Sequence, residues 1–205
     1  MSSRTLIVGD VHGCSVELHT LLEKVRPTRC ILVGDVFRKG PDSIGVWNLI
    51  KKYRLESVLG NHELVVLQNR EVYPLEMIEW IQQLPLWIDG SVTRDGFVQQ
   101  WRVVHAGVDP LNPNKTTQQQ AVSMRRYISE AHNGEHFWWQ LYTGERLILY
   151  GHDAKRGIQD HRPKTLGLDS GCVYGNGLTA YSLEEDRLIH ISSQEAYVST
   201  YVSTE

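Results

Sequence analysis

Three times near the start of the chain, a short apolar run ends on glycine followed by a polar side chain. Thr5–Val8 ends at Gly9-Asp10, Arg29–Val33 at Gly34-Asp35, and Ser57–Leu59 at Gly60-Asn61. Runs this short and this uniformly apolar predict buried strands of a parallel sheet. Between the first two, Leu18, Leu21, Leu22 and Val25 recur at helical spacing within Cys14–Val25, and Arg26-Pro27 ends that helix. After the second run, Asp42 and Ser43 offer N-caps to a helix over Asp42–Tyr53, with Ile44, Trp47 and Ile50 on one face. The repeated unit is strand, turn, helix, and parallel strands so connected open their C-terminal ends on one edge of the sheet.

Further along, the pattern changes. Pro74–Leu84 predicts a helix whose apolar side is Met77, Ile78, Ile81 and Leu84, and Trp87–His105 predicts a hairpin turned near Arg94-Asp95-Gly96. Pro110–Lys115 reads as a loop and Thr117–Ala131 as a helix. Beyond Asn133-Gly134 come β-like runs at Leu147–Tyr150, Thr165–Leu168, Leu178–Leu183 and Arg187–Ile191, the last two forming a hairpin around Glu184–Asp186. The C-terminal half is therefore expected to be mainly antiparallel. Tyr197–Glu205 receives no assignment. The fold class is α/β, as a single domain over residues 1–205 with no repeat or linker.

Composition narrows the classes. A net charge of -3 argues against a general nucleic-acid or membrane surface, but it says nothing about phosphate held at a metal site, where bound cations reverse the local sign. No stretch approaches the roughly 18 apolar residues of a membrane span, and the first ten residues lack the core of a signal peptide. Cys14, Cys30 and Cys172 lack metal-finger spacing and read as reduced thiols, which places the chain in a reducing, cytoplasmic compartment.

The chemistry sits where runs end. Five stretches share one grammar of apolar run, small residue and metal-capable side chain: Gly9-Asp10-Val11-His12-Gly13, Gly34-Asp35, Gly60-Asn61-His62-Glu63, Val104-His105-Ala106-Gly107 and Tyr150-Gly151-His152-Asp153. Asp, His and Asn together offer oxygen and imidazole ligands, which suit manganese, iron, zinc or cobalt better than calcium. Without Cys among them, a structural zinc site is disfavoured. In Gly34–Ser43 the carboxylate of Asp35 is followed by Arg38 and Lys39, a pairing that suggests a metal beside a phosphate. Other candidates read as structure. Asn133-Gly134 separates His132 from His136 and makes a loop there, Cys14 is a small residue opening a helix, and Trp138-Trp139 is core packing before it is an adenine platform, with Tyr174 as another stacking candidate.

The ordered set GDVHG, GDVFRKGPDS, GNHE, VHAG and YGHD, with the later LGLDSGCVYG, resembles the calcineurin-like metallophosphoesterases over nearly the whole chain. Within the phosphoprotein phosphatase superfamily it is most similar to the ApaH-like phosphatases, relatives of the diadenosine tetraphosphatases. The resemblance implies a four-layer α/β/β/α sandwich and two divalent ions, manganese first, with iron, zinc, cobalt or magnesium as alternatives. It implies one ion on Asp10, His12 and Asp35 and a second on Asp35, Asn61, His105 and His152, with Asp35 and a hydroxide bridging them. It further implies His62 as the group protonating the leaving oxygen, Lys39 as a phosphate ligand, and Arg38, Arg125 and Arg156 as further substrate contacts. The implied reaction is hydrolysis of a phosphoanhydride in a dinucleoside polyphosphate, diadenosine tetraphosphate giving two ADP.

Related enzymes of the group act on RNA caps, and a serine/threonine or tyrosine phosphoprotein phosphatase is the first competing function. A metal-free binding scaffold is a competitor from another class. One departure separates these readings. Relatives acting on phosphoserine carry Asp-Arg-Gly where this chain has Arg38-Lys39-Gly40, so the Asp that orients their histidine is missing. A serine alkoxide leaves poorly without a proton, whereas a nucleoside polyphosphate leaves readily, so the departure favours an anhydride.

Overall fold

The repeated unit of the N-terminal half builds the first sheet. In a computed structural model describing residues 4–199, β1 (Thr5–Val8), α1 (Ser15–Val25), β2 (Arg29–Leu32), α2 (Ser43–Tyr53), β3 (Glu56–Ser57), α3 (Asn61–Gln68) and α4 (Leu75–Gln82) follow one another. β1 pairs in parallel with β2, and β2 with β3. The strands are apolar on both faces because both faces are covered. Leu6, Val8 and Leu32 pack with Leu18, Leu21, Val46, Trp47, Ile50 and Met77 of the helices. Ile7, Ile31 and Val33, one residue out of phase, point the other way.

The remaining chain runs through β4 (Trp87–Arg94), β5 (Phe97–Val104), α5 (Gln118–Ser123), β6 (Arg126–Ser129), β7 (Gly134–Phe137), α6 (Trp138–Leu141), β8 (Leu147–Tyr150), β9 (Gln159–His161), β10 (Thr165–Gly167), β11 (Leu178–Ser182) and β12 (Arg187–Ile191). The hairpins β4–β5 and β11–β12 form as expected, but β11 joins the first sheet beside β1. The sheets have strand orders β12-β11-β1-β2-β3 and β4-β5-β8-β10-β9. Their facing sides meet through Ile7, Ile31, Val33 and Tyr181 on one and Trp101, Val103, Leu149 and Leu166 on the other. Ala121 and Trp138 cover the outer side of the second sheet. The expected α/β/β/α sandwich is what results.

Three expectations are corrected. The second sheet is mixed, not mainly antiparallel: β5, β8 and β10 run parallel to one another, with antiparallel β4 and β9 only at the edges. An apolar run carries no mark of its strand direction, and the segment between β5 and β8 carries the two short helices that a parallel crossover needs. The helix expected over Thr117–Ala131 stops at Ser123, and residues 126–137 form the β6–β7 hairpin. Asn133 and Gly134 take positive φ angles of 59° and 117° at its turn, so a dipeptide read as a break is a strand reversal, with His136 on a strand. Lastly, Ile44 is 45% exposed and α2 buries Val46, Trp47 and Ile50. Successive steps of three drift around a helix, and the partner of Ile50 one turn back is Val46.

Tyr197 donates to Val173 O and Glu17 Oε1 at 3.0 and 2.9 Å, so the start of the unassigned C-terminal stretch docks on the first layer. Residues 200–205 lie outside the described residues.

Candidate metal centre

Because β1, β2 and β3 are parallel, as are β5, β8 and β10, six strand ends can meet at one edge of the sandwich. Asp10 and His12 follow β1, Asp35 follows β2, Asn61 and His62 follow β3, His105 follows β5, and His152 follows β8. Backbone bonds hold these loops together. His12 N donates to Asp35 O at 2.8 Å, Gly40 N to His12 O at 2.8 Å, and Gly151 N to His105 O at 2.8 Å. Glycine is required where carboxylates pass close: a Cβ on Gly60 would overlap Asp35, and one on Gly151 would overlap Asp10.

The side chains converge. Asn61 Oδ1 lies 3.0 Å from His105 Nε2 and 2.9 Å from His152 Nδ1, and those two nitrogens are 3.1 Å apart. Asp35 reaches both sides of the cluster, with Oδ1 at 3.3 Å from His105 Nε2 and Oδ2 at 3.7 Å from His12 Nε2 and 3.9 Å from His62 Nε2. Asp10 accepts from the backbone N–H of His152 at 3.1 Å. Tautomers follow from the acceptors behind the rings. His105 Nδ1 faces Val33 O at 2.9 Å and His12 Nδ1 faces Phe37 O at 3.4 Å. A carbonyl only accepts, so each Nδ1 carries hydrogen and each Nε2 faces the centre.

Charges agree with a cation-seeking site. Burial raises Asp10 well above the usual carboxylate range, and nearby Asp169 adds to it. Burial also works against Asp35, but His105, by charge and hydrogen bond, holds it well below that range. Burial likewise opposes a charged His105, yet Asp35 outweighs it and pushes the pKa up to about 10. Burial, with Lys39 and His62 adding to it, lowers His12 to about 3, and burial with His105 and Arg125 lowers His152. At neutral pH His105 is thus protonated against ionised Asp35 while His12 and His152 stay neutral, and a divalent metal at the centre would take the place of the proton on His105 Nε2. The donor set therefore fits divalent ions: oxygen and imidazole lone pairs crowd within hydrogen-bond range with too few protons to bridge them all. Five of the residues hold positive φ without being glycine, namely His12 (48°), Asp35 (49°), Arg38 (66°), Lys39 (65°) and His152 (72°). Such backbone costs of order 1–3 kcal/mol each and concentrates at functional sites.

Around the centre, Lys39 Nζ donates to His12 Nε2 at 3.2 Å, on the lone pair a metal would use. Arg38 Nη1 donates to His62 Nδ1 at 3.4 Å. The guanidinium thus occupies the position behind His62, and since it only donates, the ring's hydrogen sits on Nε2. Burial, with Lys39 and Arg38 adding to it against Asp35, lowers His62 to about 4. Arg125 and Arg156 both pair with Asp153, the residue after His152. Arg156 Nη1 donates to Asp153 Oδ2 at 2.6 Å, and Arg125 Nη2 donates to His152 O at 2.9 Å. Trp138 is core, as expected, donating to Ala106 O at 3.0 Å, while Trp139 stacks on Phe137 and His161.

Two acids escaped the sequence reading. Asp169 is buried beyond β10, within the closing LGLDSG segment. Glu63 is fully buried, with Oε2 accepting from Asp35 N (2.8 Å) and Gly60 N (3.0 Å) and Oε1 from Val36 N (2.9 Å). Its signal was positional, since an acid three residues after a helix N-cap reaches back to the cap. Glu63→Ala would strand three buried donors at about 1–3 kcal/mol each, so unfolding in urea should lose about 3 kcal/mol or more. A loss under about 1 kcal/mol would mean that the Asp35 loop holds itself.

This sandwich, with a convergent Asp/His/Asn donor set at the shared strand ends, defines a phosphoesterase. Residues 3–186 match the calcineurin-like phosphoesterase family, to which the chain belongs. It is 23% identical to the asymmetrical bis(5'-nucleosyl)-tetraphosphatase PrpE of Oceanobacillus iheyensis, over 94% of each chain. It is 24% identical to the symmetrical bis(5'-nucleosyl)-tetraphosphatase of Haemophilus ducreyi, over 90% of this chain and 97% of that one. A crystal structure assigned as a diadenosine tetraphosphatase is 30% identical, with a TM-score of 0.81, covering 94% of this chain and 95% of that one. Among the described residues no helix is long and apolar enough to cross a membrane.

Proposed function

We propose that this enzyme hydrolyses a phosphoanhydride bond of dinucleoside polyphosphates, cleaving diadenosine tetraphosphate to two ADP. The observation that carries the reading is the guanidinium of Arg38 against His62 Nδ1. Asp10, His12 and Asp35 would hold one divalent ion, and Asp35, Asn61, His105 and His152 a second, with manganese as the first choice. Such ions supply Lewis-acid chemistry, acidifying water and drawing charge from phosphoryl oxygens.

The chain's own groups do the rest. Burial, with Lys39 and Arg38 adding to it, keeps His62 neutral, and the ring offers Nε2–H as a hydrogen-bond donor to a phosphoryl or leaving oxygen. It is a poor proton source, which an alkoxide leaving group would need and a nucleotide phosphate does not. Arg38 and Lys39 add two cations at the mouth of the centre, suited to a polyphosphate. The relatives' names support the same substrate class. A cytoplasmic location belongs to the proposal, supported by three buried cysteines, none of them in a disulfide.

The deciding experiment compares diadenosine tetraphosphate, a capped dinucleotide and a phosphopeptide at equal enzyme, with nucleotide products identified. ADP as sole product from the tetraphosphate, at the highest kcat/KM, supports the proposal. ATP plus AMP would overturn the symmetrical cleavage, and preference for the phosphopeptide would overturn the substrate class. Lys39→Ala should raise KM for the tetraphosphate about tenfold, the loss of one charge-assisted contact worth about 1.4 kcal/mol. Its metal content should be unchanged or higher, because the ammonium now sits on a ligand lone pair. Metal lost from that variant would assign Lys39 a structural role.

A further inference from the structure

Apart from the Asp35 centre, a different donor set is buried under the start of α1. The structure assigns Cys14, Glu17 and Cys172 to a thiolate-based site for a zinc-class divalent ion, separate from the phosphoesterase metals. The two sulfurs and a Glu17 carboxylate oxygen all lie within 4.8 Å of one another. The three residues are 0%, 1% and 1% exposed. Cys14 precedes α1, Glu17 sits in its first turn beside Leu18 and Leu21 on the buried face, and Cys172 arrives from the segment beyond β10.

Glu17 is the residue that needs explaining. A carboxylate among leucines costs several kcal/mol unless it is paired or coordinates a metal. Oε1 accepts from Gln194 N at 3.1 Å and from the Tyr197 hydroxyl at 2.9 Å. Oε2 is buried without a hydrogen-bond partner, and among the described residues no Lys, Arg or His pairs with Glu17. One oxygen is thus saturated and the other left open, in a carboxylate that closes a cluster with two sulfurs.

The charge balance is favourable. With both thiols protonated, the cluster carries only the charge of Glu17. Binding replaces two thiol protons by one divalent cation, giving two metal–sulfur bonds and two released protons, so the net charge buried does not change. Two sulfurs select zinc, or cobalt as its probe, over manganese or magnesium, and that separates this site from the oxygen and imidazole set around Asp35. Zinc–sulfur bonds of about 2.3 Å set a sulfur–sulfur spacing of about 3.8 Å in a tetrahedron, and the donor atoms here already lie within 4.8 Å of one another. The ion would tie Cys14, two residues after His12, to the segment after Asp169, bracing two walls of the phosphoesterase centre. This assignment does not depend on which phosphate compound that centre cleaves.

The test uses the full chain, reduced and with its phosphoesterase centre filled by manganese, titrated anaerobically with Co2+. A near-ultraviolet sulfur-to-cobalt charge-transfer band should appear and saturate at one ion per chain. It should fall to background in Cys14→Ser and in Cys172→Ser and persist in Cys30→Ser, a buried thiol outside the cluster. X-ray absorption of the bound ion in the unaltered chain, which does not depend on any variant folding, should show two sulfur scatterers. Absence of the band, only nitrogen and oxygen scatterers, or a band surviving both serine variants would overturn the assignment. So would a Cys14–Cys172 disulfide that, once reduced, takes up no cobalt.

Discussion

Asp35→Asn should lower kcat on diadenosine tetraphosphate by about 10³-fold or more, because metal chemistry of this kind supplies several kcal/mol of barrier reduction. Asp35 lies within 4 Å of both sides of the donor set, reaching His12 and His62 through Oδ2 and His105 through Oδ1. Asparagine keeps the size and one acceptor oxygen, which His62 N now uses at 2.9 Å, but removes the negative charge that no histidine around it can supply. Elemental analysis separates the causes: the variant should retain less than one ion per chain while its far-ultraviolet spectrum matches the parent. A variant with full metal content and near-parent kcat would take Asp35 out of the bridging role.

Arg38 and His62 give the second large effect, which is a change in preference. Arg38→Asp replaces the donor behind His62 with a carboxylate that accepts from Nδ1–H and favours the charged ring. Hydrolysis of an alkyl phosphate ester should then rise relative to the anhydride, since the ring can now deliver a proton. In that background His62→Ala should cost about 10²–10⁴-fold on the ester, the usual range for a positioned general acid. In the native chain the same His62→Ala should cost only about tenfold on the anhydride, the worth of one hydrogen bond near a charge. The readout is the ratio of kcat/KM for ester and anhydride across the four chains of this cycle. A ratio that Arg38→Asp leaves unmoved would refute the leaving-group argument and return the phosphoprotein reading to the front.

Much of this site was legible in one dimension because strand ends carry their own punctuation. Each ligand-type residue follows an apolar run with glycine close by, and the physical need for sharp turns and close approach wrote those glycines into the sequence. Glu63 shows the limit of that reading. Its three hydrogen bonds go to backbone groups, two of them far along the chain, and backbone acceptors and donors leave no mark in residue identity. The same holds for the left-handed backbone at His12, Asp35, Arg38, Lys39 and His152, where no glycine announces the conformation.

The sequence by itself determined the α/β alternation of the first half, the β4–β5 and β11–β12 hairpins, the buried strands and the identity of the metal-capable residues, because period, turn chemistry and residue type are local properties. Tertiary structure alone decided that β5, β8 and β10 run parallel, which brings His105 and His152 to the same edge as Asp35. It alone placed Arg38 behind His62 and shut Glu17 in with two thiols. Crossover direction, the choice of partner across a loop and the accounting of buried polar atoms depend on residues far apart in the chain, and only folding sets those distances.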